Sequence, residues 1–191
     1  YAAFVSNIEL FDNAAFSSSP GESKAMDPQQ RFLLEQGYAA CDAAGYTRSS
    51  LDGIVAAVFL GITCTEWANV PKPQSVYGVG GVGHCFACGR LSFTLGIQGA
   101  CLSFDTACSS SLAACHASLR ALHAEECSMG LVCGVQAMLI PDVPLAYAVG
   151  TITSVSGRSF TFDERANGFG RSEGCSGGAL TTAAAHAGQG V

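Results

Sequence analysis

A short apolar segment, Ala100 to Phe104, runs directly into Asp105-Thr106-Ala107-Cys108, and residues with helical spacing follow from about Ser109 to His123. The pattern predicts a strand, a tight turn, a cysteine and a helix. A cysteine at a helix N-terminus sits at the positive end of the aligned peptide dipoles, which favours the thiolate, the nucleophilic form of the side chain. Ser109, Ser110 and Ser111 are small and leave backbone N–H groups open to a developing oxyanion. Cys108 is therefore the candidate nucleophile. The same residues also fit a buried structural cysteine ahead of an ordinary serine-rich helix start, and this pattern alone leaves both readings open.

A thiolate nucleophile needs a partner that handles protons. The chain holds His84, His116, His123 and His186. His116 lies eight residues beyond Cys108 on the same predicted helix, roughly 12 Å away at about 1.5 Å rise per residue, too far to bond the thiol. His123 is farther still. His84 follows a glycine-rich segment, and His186 lies in a featureless tail. No histidine emerges as the base.

Three other motifs match reactive patterns. Gly78-Val79-Gly80-Gly81-Val82-Gly83 has the G-x-G-x-x-G form of a dinucleotide site, with Asp105 at a suitable distance for a ribose. Pro71 and Pro73 precede it in place of an apolar strand, and Cys85 to Arg90 opens no evident helix, so a dinucleotide site is disfavoured. Gly174-Cys175-Ser176-Gly177-Gly178 matches G-x-S-x-G, but polar loop residues precede it where a hydrolase needs a strand. Cys85-Phe86-Ala87-Cys88 is a lone C-x-x-C without the second ligand pair of a zinc site, which leaves redox chemistry as its weaker alternative.

The elements that must position these residues follow from hydrophobic pattern and caps. Residues 1–26 read as an irregular lead-in pinned by Phe4, Ile8, Leu10, Phe11 and Phe16. Asp27 as N-cap and Pro28 at the first helical position open a helix that Gly45 closes. Ile54 to Leu60 reads as a buried strand, 61–83 as a Gly/Pro-rich loop, and Gly89 to Leu95 as either helix or strand. The helix after Cys108 presents Leu112, Cys115, Leu119 and Leu122 on one face. Gly130 to Val135 reads as a strand, Asp142 to Val155 as helix or turn, 160–174 as a loop, and 175–191 as Gly-rich and indistinct. Strands alternating with helices indicate an α/β class with a largely parallel sheet.

Composition narrows the function. The 191 residues are 49% hydrophobic and only 13% charged, enough to bury a core as one domain. The net charge of −6 and the scattered basic residues argue against nucleic acid. No apolar run is long enough to span a bilayer, and no signal peptide is visible. The ten cysteines lie mostly in apolar stretches (Cys41, Cys64, Cys115, Cys133), as free thiols do, which indicates a reducing compartment such as the cytoplasm or a plastid.

The segment Asp105 to Leu112, DTACSSSL, resembles the active-site segment of the ketosynthase domains of type I modular polyketide synthases. Further segments resemble the family in the same order: Leu10-Phe11-Asp12, Met26 to Arg31, Gly89 to Phe93, Leu95 to Gly99, Phe162 to Arg171, and Glu173-Gly174-Cys175. The resemblance implies a thiolase-like αβαβα sandwich of which this chain holds the N-terminal portion. Residues 1–191 then form a partial ketosynthase domain that lacks the first strand and the C-terminal half. It implies a homodimer and a β-ketoacyl synthase of polyketide or fatty-acid biosynthesis. Cys108 would accept an acyl chain from an acyl carrier protein, with its own backbone N–H as one oxyanion donor. A malonyl-type extender would then lose CO₂ and attack that thioester. No cofactor is bound directly; phosphopantetheine arrives on the acyl carrier protein.

The resemblance also implies two catalytic histidines downstream of Val191, and none of the four here matches them. Ser172 stands where glycine is usual, Gly37 interrupts the early helix, and Ser176 to Leu180 replaces a strand richer in Val and Leu. Decarboxylating relatives replace the cysteine, so Cys108 argues against that chemistry. The alternative is a non-catalytic thiolase-fold fragment with a structural or dimerisation role.

Overall fold

A computed structural model describes residues 2–63 and 65–182. Its centre is a four-stranded sheet in the order β3-β2-β4-β6, formed by β2 (Ala57–Gly61), β3 (Cys101–Phe104), β4 (Met129–Gln136) and β6 (Gly174–Thr181). β2 pairs parallel with both β3 and β4, whereas β6 runs antiparallel to β4. β1 (Ala2–Ala3) and β5 (Arg171–Ser172) make a separate short parallel pair. The helices are α1 (Pro20–Ala25), α2 (Pro28–Ala43), α3 (Arg48–Leu51), α4 (His84–Leu95), α5 (Ser110–His123) and α6 (Asp142–Val149).

Every residue of β2 is buried, as expected of a central strand covered on both faces. Alternation sorts its side chains. Val58 and Leu60 join Leu33, Leu34, Leu91, Met129 and Leu131 in the larger core under α2 and α4. Ala57 and Phe59 join Ala114, Ala121 and Leu122 in a smaller core under α5. The result is a three-layer α/β arrangement with α2 and α4 on one face of the sheet and α5 on the other.

Local chemistry explains α2. The Asp27 carboxylate accepts the Gln29 N–H at 2.8 Å, and Gly45 at the other end has φ +85°, the left-handed conformation in which glycine ends a helix. In the lead-in, Phe16 is buried and stacks on Phe11 with centroids 5.4 Å apart, but Phe4 and Leu10 face solvent and pin nothing.

Three expectations are corrected. Residues 84–95 form a helix, including Cys85 to Arg90, where none was evident. Cysteine and glycine are weak helix formers, and burial of Ala87, Cys88, Leu91 and Leu95 on one face overrides that propensity. Residues 174–181 form a strand despite their glycines. Its pairing with β4 holds it, and Gly177 lets α2 approach: a Cβ there would lie 3.2 Å from the Gln36 carbonyl oxygen and 3.3 Å from Ala40 Cβ. The buried face of α5 is Ser110, Ala114, Ser118, Ala121 and Leu122, while Leu112 and Leu119 are exposed.

That small-residue face meets glycines on the sheet. A Cβ on Gly61 would fall 2.5 Å from Ser111 N and 2.7 Å from Ser111 Cα. A Cβ on Gly130 would fall 1.9 Å from Ser118 Oγ, and one on Gly134 2.2 Å from Ser111 Oγ. Because the obstacle at Gly61 is backbone, Gly61→Ala must displace the start of α5. We expect it to cost about 1–3 kcal/mol and to lower Tm by several degrees. Gly89→Ala, inside α4 with open space around its Cβ, should instead gain up to about 1 kcal/mol. Thermal and urea unfolding of the two variants checks both signs.

Candidate active site

The parallel strands β2, β3 and β4 end at one edge of the sheet, where ligands of open α/β sheets bind. A cleft of about 680 Å³ opens there. It is lined by Gly61 to Thr63 after β2, by Asp105, Ala107 and Cys108 after β3, by Ser110 and Ser111 of α5, and by the end of β4. Tyr147, Ile152 and residues Phe169 to Ser176 close its far side.

Cys108 lies in a 3₁₀ turn, Ala107–Ser109, between β3 and α5, and its side chain is exposed to the cleft. The turn is tied by hydroxyls. Buried Ser110 accepts the Thr106 N–H at 3.0 Å and donates to the Ala107 carbonyl at 2.6 Å. The Ser109 hydroxyl reaches the Thr106 carbonyl at 2.8 Å, and Asp105 Oδ1 accepts the Ala107 N–H at 3.3 Å. Ala107 is held at φ +55°, a left-handed conformation costing a residue with a Cβ about 1–2 kcal/mol. Strain placed immediately before Cys108, and fixed by neighbouring bonds, sets the direction of that side chain.

A second cysteine lines the same cleft. Cys175, on β6, is mostly covered, and burial pushes its thiol up to about 12, with the nearby Glu35 adding to the rise. At neutral pH such a thiol stays protonated. Cys175 is therefore no rival for nucleophilic chemistry.

Two carboxylates brace the chain around the cleft. Glu173 accepts the Val5 N–H at 3.0 Å through one oxygen and the Met138 N–H at 2.8 Å through the other, joining the lead-in to the chain beyond β4. Buried Glu66 accepts the N–H groups of Leu139 (2.7 Å) and Ile140 (3.0 Å). Arg171 lays its guanidinium over the Tyr147 ring at 4.6 Å from the centroid. Of these residues, only Arg171 and Glu173 carried a sequence signal, their position in the segments that resemble the family.

Among the described residues no histidine lines the cleft. His84 opens α4, and its carbonyl accepts the Ser103 hydroxyl at 2.8 Å. His116 and His123 lie along α5. His186 and Cys64 lie outside the described residues.

The other motifs find structural roles. Gly81 of the G-x-G-x-x-G segment sits where a Cβ would fall 2.1 Å from the Ala25 carbonyl oxygen, and its own carbonyl accepts the Asp27 N–H at 2.9 Å. Arg90, ion-paired with Glu22, bonds the Gly80 carbonyl at 3.3 Å. The glycines thus admit the chain's own backbone rather than a pyrophosphate. Ser176 lies within β6, not on a strand-to-helix elbow. Cys85 is exposed while Cys88 is buried, so the C-x-x-C thiols diverge.

Comparison with known proteins agrees with this geometry. The family model for the beta-ketoacyl synthase N-terminal domain matches residues 1–186. The chain belongs to the beta-ketoacyl synthase family. It is 37% identical over 179 residues to a phenolphthiocerol/phthiocerol polyketide synthase of Mycobacterium tuberculosis, covering 92% of this chain and 10% of that protein. To the cluster 41 polyketide synthase of Aspergillus flavus it is 36% identical over 176 residues, covering 90% of this chain and 16% of that protein. The ketosynthase from module 6 of the bacillaene synthase of Bacillus subtilis 168 superposes with a TM-score of 0.86 at 34% identity, over 97% of this chain and 32% of that one. The chain thus spans about a tenth to a sixth of these two synthases and about a third of the ketosynthase structure. The fold is the thiolase-like fold of ketosynthases, of which the chain holds the N-terminal portion. Among the described residues no helix is long and apolar enough to cross a membrane.

Exposure and burial make a direct forecast. Under limiting iodoacetamide at neutral pH, Cys108 should be alkylated well before Cys175, Cys41 and Cys133. Burial pushes Cys41 up to about 11 and raises Cys133 further. Peptide mass spectrometry over time reads the order. Ser110→Ala removes the two bonds that Ser110 makes to the turn and should lower stability by about 1–3 kcal/mol, measured by urea unfolding.

Proposed function

We propose that this chain is the nucleophile-bearing part of a condensing domain, residues 1–191, that extends acyl chains in polyketide or fatty-acid synthesis, and that Cys108 carries the acyl group. The observation that carries this reading is the exposed Cys108, held by a strained, hydroxyl-tied turn at the start of α5 and facing the cleft at the sheet edge.

The Cys108 sulfur attacks the carbonyl carbon of an acyl thioester presented by an acyl carrier protein. The new C–S bond forms as the phosphopantetheine thiolate leaves and takes up a proton. In the tetrahedral intermediate the carbonyl oxygen carries negative charge, and the Cys108 backbone N–H at the positive end of α5 is its donor. A malonyl-type thioester then loses CO₂. The resulting carbanion attacks the acyl-Cys108 carbonyl, and collapse expels the Cys108 thiolate and leaves a β-ketoacyl thioester on the carrier. Proton handling in the condensation step belongs to groups other than the described cleft residues. The working protein is a homodimer that meets soluble carrier domains in a reducing compartment, cytoplasmic or plastidial. Free thiols at nine described cysteines support that setting.

The full-length protein incubated with a short acyl-N-acetylcysteamine thioester should gain one acyl group on the peptide containing Cys108, and Cys108→Ala should lose it. An acyl group found on Cys85 or Cys101 with Cys108 free would overturn the assignment. Complete absence of acylation, with Cys108 still open to iodoacetamide, would favour a structural role for this fold.

A further inference from the structure

Tyr147, Ile152 and Phe169 stand on the far side of the cleft that Cys108 faces, and their backbone is locked. The Ile152 N–H donates to the Tyr147 carbonyl at 3.1 Å, the Phe169 N–H to the Ile152 carbonyl at 3.3 Å, and the Ser154 N–H to the Phe169 carbonyl at 2.9 Å. Gly168, at φ +128°, permits this approach, since a Cβ there would fall 2.6 Å from Ser154 N. What remains able to turn is the Tyr147 side chain.

Two contacts hold its ring. Phe169 meets it edge to face, with centroids 6.3 Å apart and planes at 81°. Arg171 lies over it, with the guanidinium carbon 4.6 Å from the centroid. Arg171 is anchored in turn, its Nε donating to the Met138 sulfur at 3.3 Å and its backbone lying in the short ladder of β5 with β1. Among the described residues no carboxylate pairs with Arg171, and Glu173, two positions on, has both oxygens engaged by backbone N–H groups. The guanidinium therefore has the electron-rich face of Tyr147 as its electrostatic partner.

We infer that Arg171 is a positioning residue that, by fixing the Tyr147 ring, sets the length of acyl group the cleft accepts at Cys108. The inference rests on the reading of Cys108 as the acyl-bearing thiol. An alkyl chain offers nothing for a guanidinium to bond, so discrimination on this wall is by shape: each further methylene either finds apolar surface or meets the ring. A boundary of that kind discriminates only while it is rigid. With Arg171 over one face and Phe169 at the other contact, the ring cannot turn without losing both. Without Arg171 it gives way to a longer chain by a change of rotamer.

The test follows acylation of Cys108 in the full-length protein by mass spectrometry, with acetyl and octanoyl N-acetylcysteamine thioesters. Arg171→Ala should raise the ratio of octanoyl to acetyl rate constants by about three- to tenfold, the size of a partly covered cation–π contact. Arg171→Lys, which keeps the cation and loses the planar stack, should raise it less. In a Tyr147→Ala background Arg171→Ala should change the ratio no further, because Arg171 acts through the ring. An unchanged ratio in both Arg171 variants would overturn the inference. So would equal slowing with both thioesters, or a full shift that persists without the Tyr147 ring. Wild-type protein that takes up neither thioester, with Cys108 still open to iodoacetamide, would instead overturn the acyl-bearing role of Cys108 and the inference with it.

Discussion

The contact between α5 and the sheet is the constraint on which the rest depends. Gly61, Gly130 and Gly134 meet Ser111 and Ser118, so at these points the sheet presents bare backbone to the helix and a Cβ has no room. Its height over the sheet then sets where its N-terminus emerges, and hence where Cys108 stands relative to the ends of β2 and β4. A larger residue at Gly61 would not merely cost packing energy. It would press on the backbone of Ser110 and Ser111, just after the Cys108 turn. Stability and site geometry are in this region the same interaction.

The opposite wall of the cleft is organised differently. It comes from chain that has little regular structure between β4 and β6, and such chain needs its backbone N–H groups satisfied if it is to be covered. Glu173 and Glu66 do this from a distance in sequence, each accepting two N–H groups. Charged acceptors make stronger hydrogen bonds than neutral ones, so two carboxylates can brace chain that has only the short β1–β5 ladder of its own. The Cys108 side of the cleft is set by close packing, and the far side is braced by carboxylate anchors.

These two devices explain what could and could not be read from the residues alone. α2 was legible because its signals are local: Asp27 and Pro28 at one end, Gly45 at the other. β2 was legible because a strand buried on both faces is a continuous apolar run, and its predicted start at Ile54 was early only because Ile54 packs against the core from a loop. The strand–Cys108–helix unit was legible for the same local reasons. β6 was not, since Ser176, Gly177 and Gly178 have no strand preference of their own and take their conformation from β4 and α2. α4 failed likewise. The α5 face was misread because the usual rule sends leucines inward, whereas close approach to glycine requires Ser and Ala there and turns Leu112 and Leu119 out. Glu173 and Glu66 were invisible as anchors because their partners lie far away in the chain.

The cysteines show how one residue type is divided among tasks by its surroundings. Cys41 and Cys133 are buried among apolar side chains, where desolvation keeps them protonated and they serve as small hydrophobes. Cys175 reaches the cleft but suffers the same desolvation, so proximity to the site does not make it reactive. Cys108 reaches the same cleft from a turn that holds it in the open. Cys101, on β3, has the buried Cys88 thiol 3.0 Å away, and that contact sets its surroundings apart from those of Cys41 and Cys133.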